Sequence, residues 1–285
     1  MITGSWIICY EGCPLNGEKV TLVGMCLITI AYQQHNQVPL IVASNRDEFY
    51  ARPTIPMHWW HDAPILAGRD QQAKGTWLGL SRNGRFAAVT NYRQGANSRA
   101  QSTALLSRGS LVKDFLCSTQ SSHQWSQTML RSGADFDGFN LLIYDGTELV
   151  YCNNHNPQPP QILSSGVYAL SNGALNSPWP KVDHARDQLR QLLDRSEQSA
   201  PQLPELISLL SSQQTYAAKL LPNTGIPPEW EQRLSAPFIV AEDYGTRAST
   251  AVLVAASGDI AVAEQNFQAD EMRDVHTFNF NASER

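Results

Sequence analysis

The sequence predicts an α+β fold with mainly antiparallel sheets, and three observations carry that expectation. Short β-branched apolar runs recur along the chain. Several are joined by tight-turn pairs, Asn83-Gly84, Asp145-Gly146 and Gly258-Asp259, which make hairpins rather than crossovers. Stretches with apolar residues three and four apart lie between groups of strands instead of alternating with single strands. The order strands, helices, strands, helices, strands favours α+β layers over a doubly wound parallel sheet.

Residues 1–24 show neither alternation nor a helical stripe and hold the irregular stretch EGCPLNGEK, so they read as an N-terminal extension. From Met25 the pattern changes. CLITIAY and PLIVASN form a pair of strands across the polar QQHNQV, and TWLGLSRNGRFAAVTNY repeats the scheme around Asn83-Gly84. Helical spacing follows in STALLSRGSLVKDFLCS and SHQWSQTMLRSG. FNLLIYDGTELVYCN is a second tight hairpin, and GVYALSN is a strand ending in polar residues. PWPKVDHARDQLRQLLDRSEQ opens on proline and carries Val182, Ala185, Leu189 and Leu192 on one face; LPELISLLSS is a further helical stretch. After a Pro-rich loop, LPNTGIPPEW, the segment STAVLVAASGDIAVAEQNF makes the last hairpin, and HTFNF a final strand. No repeat, low-complexity tract or linker-like shift interrupts residues 25–280, so 25–285 reads as a single domain.

Length and composition narrow the function classes. The 285 residues suffice for one large domain or two ordinary ones. A hydrophobic share of 42%, a charged share of 16% and a net charge of -5 leave no polybasic face for nucleic acid or anionic lipid. No run reaches the ~18–20 apolar residues of a membrane span, and WIICY is too short for a signal-peptide core. Met25 is too bulky to precede a lipoprotein cysteine, so a cytoplasmic location is expected. The five cysteines are odd in number and unevenly spread, which fits reduced thiols. Cys9 and Cys13 lack the further ligands of a tetrahedral metal site. His58 and His61 flank two tryptophans, either as ligands of a metal or haem-like group or, as we favour, as part of a packed aromatic loop. Phe49, Trp77 and Trp179 are either pocket walls or core. Phosphate-binding glycine loops are absent, so no cofactor is expected.

Cys26 is the most informative residue. Inside an apolar run a cysteine is ordinarily a small hydrophobe. Directly after Met25, it also has a second reading. If translation starts at Met25, loss of the initiator leaves Cys26 with a free α-amine, whose pKa of ~8 lets it take the proton of its own thiol. Asn45-Arg46-Asp47-Glu48, Asn91, Asn172 and Arg247 have bland readings too, as a strand exit, turn formers and a surface cation.

The motifs MCLITIAY, ASNRDEFYARP, GTWLGLSRNGRFAAVTNYR, YALSNGALNSPWPKV and YGTRASTAVL together resemble the NRDE family, also called the transport-and-Golgi-organisation family. The resemblance runs from Met25 to about Phe280 and implies an N-terminal-nucleophile (Ntn) hydrolase fold, a four-layer αββα sandwich. It is similar at greater distance to choloylglycine hydrolases and penicillin V acylases. By motif order that likeness implies a site of Cys26, Arg46, Asp47, Asn91, Asn172 and Arg247. Those acylases space arginine and aspartate three apart, whereas Arg46 and Asp47 are adjacent here. In the implied roles Asn91 stabilises an oxyanion, Asn172 fixes the α-amine, Asp47 holds the ammonium, and Arg46 or Arg247 tunes the thiol.

Two functions follow. The first is an N-terminal cysteine amidohydrolase cleaving a non-peptide C–N amide bond of a small acylated molecule. The second, also implied by the resemblance, is a non-catalytic binding or trafficking protein for haem or a lipid-like ligand. Residues 1–24 are either a start assigned too early or a propeptide removed by autoprocessing.

Overall fold

The computed structural model describes residues 24–93, 106–156, 158–195, 199–268 and 271–282. The chain opens with β1 (Met25–Tyr32) and β2 (Leu40–Phe49), then β3 (Thr54–Trp59), β4 (Ile65–Asp70), β5 (Leu78–Ser81) and β6 (Phe86–Asn91). Helices α1 (Arg108–Leu116) and α2 (Ser122–Leu130) follow, capped by the Ser107 and Ser121 hydroxyls. Next come β7 (Phe139–Tyr144), β8 (Leu149–Asn153), β9 (Gln161–Ile162) and β10 (Gly166–Leu170). Helices α3 (Pro180–Arg195), α4 (Leu203–Leu209) and α5 (Pro228–Arg233) precede β11 (Tyr244–Val254), β12 (Asp259–Gln268) and β13 (Glu271–Asn281).

Two antiparallel sheets result, one ordered β10-β1-β2-β11-β12-β13 and the other β3 to β9 in sequence. Side-chain alternation assigns their faces. In β1, Ile28 and Ile30 join the core between the sheets, while Leu27 and Ala31 pack under α3 and α4. In β2, Leu40 and Val42 face the other sheet, and Ile41 and Ala43 face the helices. Helices α1 and α2 cover the second sheet over Ala87, Leu141 and Ile143. The molecule is therefore helix on sheet on sheet on helix. Strands buried on both faces need no polar alternation, which is why β1 and β7 read as continuous apolar runs. Each fully buried Leu or Ile here contributes roughly 2 kcal/mol of transfer free energy.

The turn pairs act as expected: Gly84, Gly146 and Gly258 take φ of +80°, +101° and +89°, where a side chain is strained. Several expectations need correction. The aromatic stretch from His58 to His61 is only half loop, since His58 and Trp59 end β3 and pair with β4 through Trp59↔Leu66. Pro56 hides it in the sequence: its register slips between Ile55 and His58 on the sheet's edge, the place where a sheet tolerates proline. Residues Asn45–Glu48 stay inside β2, buried between β1 and β11, rather than leaving the sheet. The Pro-rich loop ends in α5, with Pro228 at its first turn. The start of the first expected helix, residues 102–105, and Cys9 and Cys13 lie outside the described residues.

Candidate active site at Cys26

Cys26 lies where β1 outruns a neighbour. The β1–β10 ladder stops at Ile28↔Leu170, so beyond it only β2 still pairs with β1, through Cys26↔Arg46 and Met25↔Asp47. On the open side Ser171 Oγ donates to Cys26 O at 2.9 Å. Continuing the alternation, the Cys26 and Arg46 side chains share the face between the sheets, and Met25 and Asp47 share the helix face. The adjacent Arg46-Asp47 pair therefore serves two sides of one strand: a cation beside the thiol and a carboxylate near the backbone that precedes it.

On the thiol side Arg46 stacks 4.2 Å above Trp77 and donates to Thr54 Oγ1 at 3.3 Å. It lies 3.7 Å from the Asp70 and 3.9 Å from the Glu48 carboxylates. Arg52 Nε closes this network at 2.6 Å from Asp70 Oδ2. With a peptide bond before Cys26, desolvation, reinforced by Asp47 and opposed by Arg46, pushes the thiol up to about 12. Such a thiol is inert at neutral pH.

On the helix side Asp47 Oδ1 accepts from Thr246 Oγ1 at 2.7 Å, while Oδ2 is buried with no hydrogen-bond partner among the described residues. Lys181, at the start of α3 and only 3% exposed, donates from Nζ to Leu234 O at 2.9 Å. Burial pushes the two groups toward neutrality, Asp47 up to about 6 and Lys181 down to about 8, and their mutual attraction opposes it. Tyr244 Oη accepts from Met25 N at 3.0 Å and donates to Asp47 O at 3.2 Å.

The asparagines form the third wall. Asn91, the last residue of β6, donates from Nδ2 to Gly24 O. Asn172 Nδ2 donates to Asn91 O at 2.9 Å, and the Asn172 carbonyl accepts from Arg93 N at 2.7 Å. Arg247 stands in a bulge inside β11, where the register shifts between Thr246 and Ala248. Its guanidinium donates to Phe49 O at 2.8 Å and Arg52 O at 3.2 Å, bracing the exit of β2.

Residues 25–269 match the model of the family described as Transport and Golgi organisation 2. The chain belongs to that family. A mouse Transport and Golgi organization 2 homolog is 30% identical over 281 residues, covering 90% of this chain and 99% of that one. A Bos taurus homolog is 31% identical over 267 residues, covering 85% and 93%. Among solved structures, a mutant conjugated bile acid hydrolase from Clostridium perfringens superposes with a TM-score of 0.50 at 8% identity, over 90% of this chain and 97% of that chain. That likeness shows the fold, an Ntn-hydrolase sandwich.

In this chain Cys26, Arg46, Asp47, Asn91 and Asn172 thus gather around the head of β1, with Arg247 on β11, beyond β2. Phe49 packs edge-on to Tyr244, and Trp179 lines the pocket beside Met25, while the tryptophans between His58 and His61 stack under Arg82 and Arg69. His58 Nδ1 lies 2.8 Å from Pro56 O, and no cluster of His, Cys, Asp or Glu suited to a metal forms among the described residues. No helix among them is long and apolar enough to cross a membrane. Sequence reasoning missed Lys181 and Tyr244. Lys181 had a signal: it precedes Ala185 by four residues and Leu189 by eight, on the inward stripe of α3.

Proposed function

We propose that the mature protein begins at Cys26 and is an N-terminal cysteine amidohydrolase that cleaves a non-peptide C–N amide bond of a small acylated molecule. One observation carries this reading: Asp47, opposite Met25 in the ladder, keeps a buried carboxylate oxygen without a hydrogen-bond donor among the described residues, next along the ladder to Cys26, whose amine cleavage would free. Orphaned buried acceptors are costly, and the freed ammonium supplies the missing donor.

The chemistry then balances within one residue. The Cys26 amine takes the thiol proton, Sγ bonds to the substrate carbonyl carbon, and an oxyanion forms. The C–N bond breaks, and the departing amine leaves with the proton held by the Cys26 ammonium. Water, deprotonated by the same amine, attacks the thioester, releasing a carboxylic acid and restoring the thiol. Arg46 favours the thiolate from the shared face. Asn91, relieved of Gly24 O, donates to the oxyanion, a contribution of ~3 kcal/mol to the barrier. Asn172 holds the Asn91 backbone, Lys181 balances Asp47, and Arg247 fixes the end of β2. We place this chemistry in the cytoplasm, where thiols stay reduced.

Acid-quenching a chain made to begin at Cys26 during turnover of an acyl anilide tests the reading. A thioester on the Cys26 peptide, seen by mass spectrometry, is expected. Turnover that survives Cys26→Ala contradicts it.

A further inference from the structure

The geometry points to the cavity filled by Met25 as the acyl subsite of the mature enzyme, shaped for an N-acylated amino acid with an unbranched side chain of methionine length and a neutral acceptor near its end. The inference rests on the hydrolase reading above, in which the substrate's acyl group is carried by Cys26 Sγ. In the leader-bearing chain the Met25 carbonyl carbon is bonded to Cys26 N instead. These two atoms of one residue lie at most about 4 Å apart. The group radiating from the Met25 carbonyl therefore traces the space open to a substrate's acyl group.

Three features of that space select the ligand. First, Met25 N donates to Tyr244 Oη at 3.0 Å, and the Tyr244 proton is committed to Asp47 O. Tyr244 Oη thus presents an acceptor, which suits the N–H of an acylated α-nitrogen. Second, the Met25 side chain, 2% exposed, packs on Leu234, Ala236 and Ile239. The narrow space left around it is bounded by Trp179, Leu221 and Leu234 and opens to solvent. Third, Arg93 Nη2 contacts Met25 Sδ, while Arg93 Nη1 holds Glu231 Oε2 at 3.0 Å and Thr224 Oγ1 at 3.1 Å. The guanidinium charge is already matched by Glu231, so the pocket's end favours an uncharged acceptor, a thioether or carboxamide, over a carboxylate.

The test uses the chain beginning at Cys26 and N-acetyl-aminoacyl anilides of methionine, glutamine, glutamate, valine and glycine, with the des-amino analogue of the methionine compound. Methionine and glutamine are expected to exceed valine, glycine and glutamate at least tenfold in kcat/KM, and the des-amino analogue to fall at least tenfold. Leu234→Trp is expected to shrink the methionine-to-glycine ratio at least fivefold, and Tyr244→Phe to shrink the penalty for losing the α-nitrogen. A parallel measurement needs no turnover: N-acetylmethioninamide is expected to raise the Tm of the Cys26-initiated Cys26→Ala chain more than N-acetylvalinamide does. Hydrolysis without side-chain preference overturns the subsite assignment and leaves the hydrolase reading standing. A side-chain-dependent Tm shift without hydrolysis of any anilide removes the hydrolase reading but keeps the pocket's selectivity. Absence of both overturns both.

Discussion

Removing the segment before Cys26 is expected to awaken its thiol, and the size of the effect follows from burial. In the leader-bearing chain the thiol is held at about 12, chiefly by desolvation. At about pH 7.5 its thiolate fraction is then roughly 3 × 10⁻⁵. Loss of residues 1–25 empties the space that Met25 fills, admits water, and places an ammonium next to the sulfur. A return to an ordinary pKa of ~8.5 raises the thiolate fraction to about a tenth, a gain of roughly 3,000-fold. The less basic thiolate is also a weaker nucleophile, by ~40-fold over this interval at a Brønsted coefficient near 0.45. The net expectation is an acceleration of roughly 80-fold toward an aromatic disulfide reagent. Stopped-flow release of the coloured thiolate measures it, with Cys26→Ala in each background to subtract other thiols, the exposed Cys117 among them. Rates at Cys26 that agree within a factor of two with and without the leader refute the reasoning.

Lys181→Met is expected to cost about 3–5 kcal/mol in urea unfolding near neutral pH, since it leaves the buried Asp47 carboxylate without its counterpart, whereas Asp47→Asn, which removes a charge that burial already disfavours, should cost less. The double variant should cost less than the sum of the two; additivity would remove the pair from the account. Burial raises Asp47 from 3.8 to about 6, so between those pH values the folded chain keeps a proton that the unfolded chain has lost. Stability of the leader-bearing wild type relative to Asp47→Asn is therefore fully present below pH 3.8 and falls as pH rises toward about 6, as urea midpoints at successive pH values will show. Asn91→Ala in the mature chain is expected to lower kcat by roughly 10²–10³-fold with little change in KM, the pattern of a lost oxyanion donor.

The fold was largely legible because its signals are local. The β-branched runs of β1, β2 and β7 and the glycine turns at 84, 146 and 258 announce antiparallel hairpins, and Val182, Ala185, Leu189 and Leu192 announce the inward stripe of α3. Strand β3 escaped notice because Pro56 and its bulge break the period that marks a strand. For the site, the order of motifs named residues that the fold brings near one another, but adjacency in sequence concealed what alternation does to Arg46 and Asp47. Lys181 was hidden for a different reason. A lysine in a helix's first turn ordinarily points to water, whereas this one is buried and donates to Leu234 O near Asp47.

The central claim is that the α-amine of Cys26 is the working base, and release of that amine under control tests it most directly. A specific protease site placed before Cys26 allows one preparation to be assayed for anilide hydrolysis before and after cutting, with intact mass confirming a chain that begins at Cys26. Turnover that appears only on cutting, and disappears when the new amine is acetylated, is the predicted result. Equal turnover by the uncut chain contradicts the account.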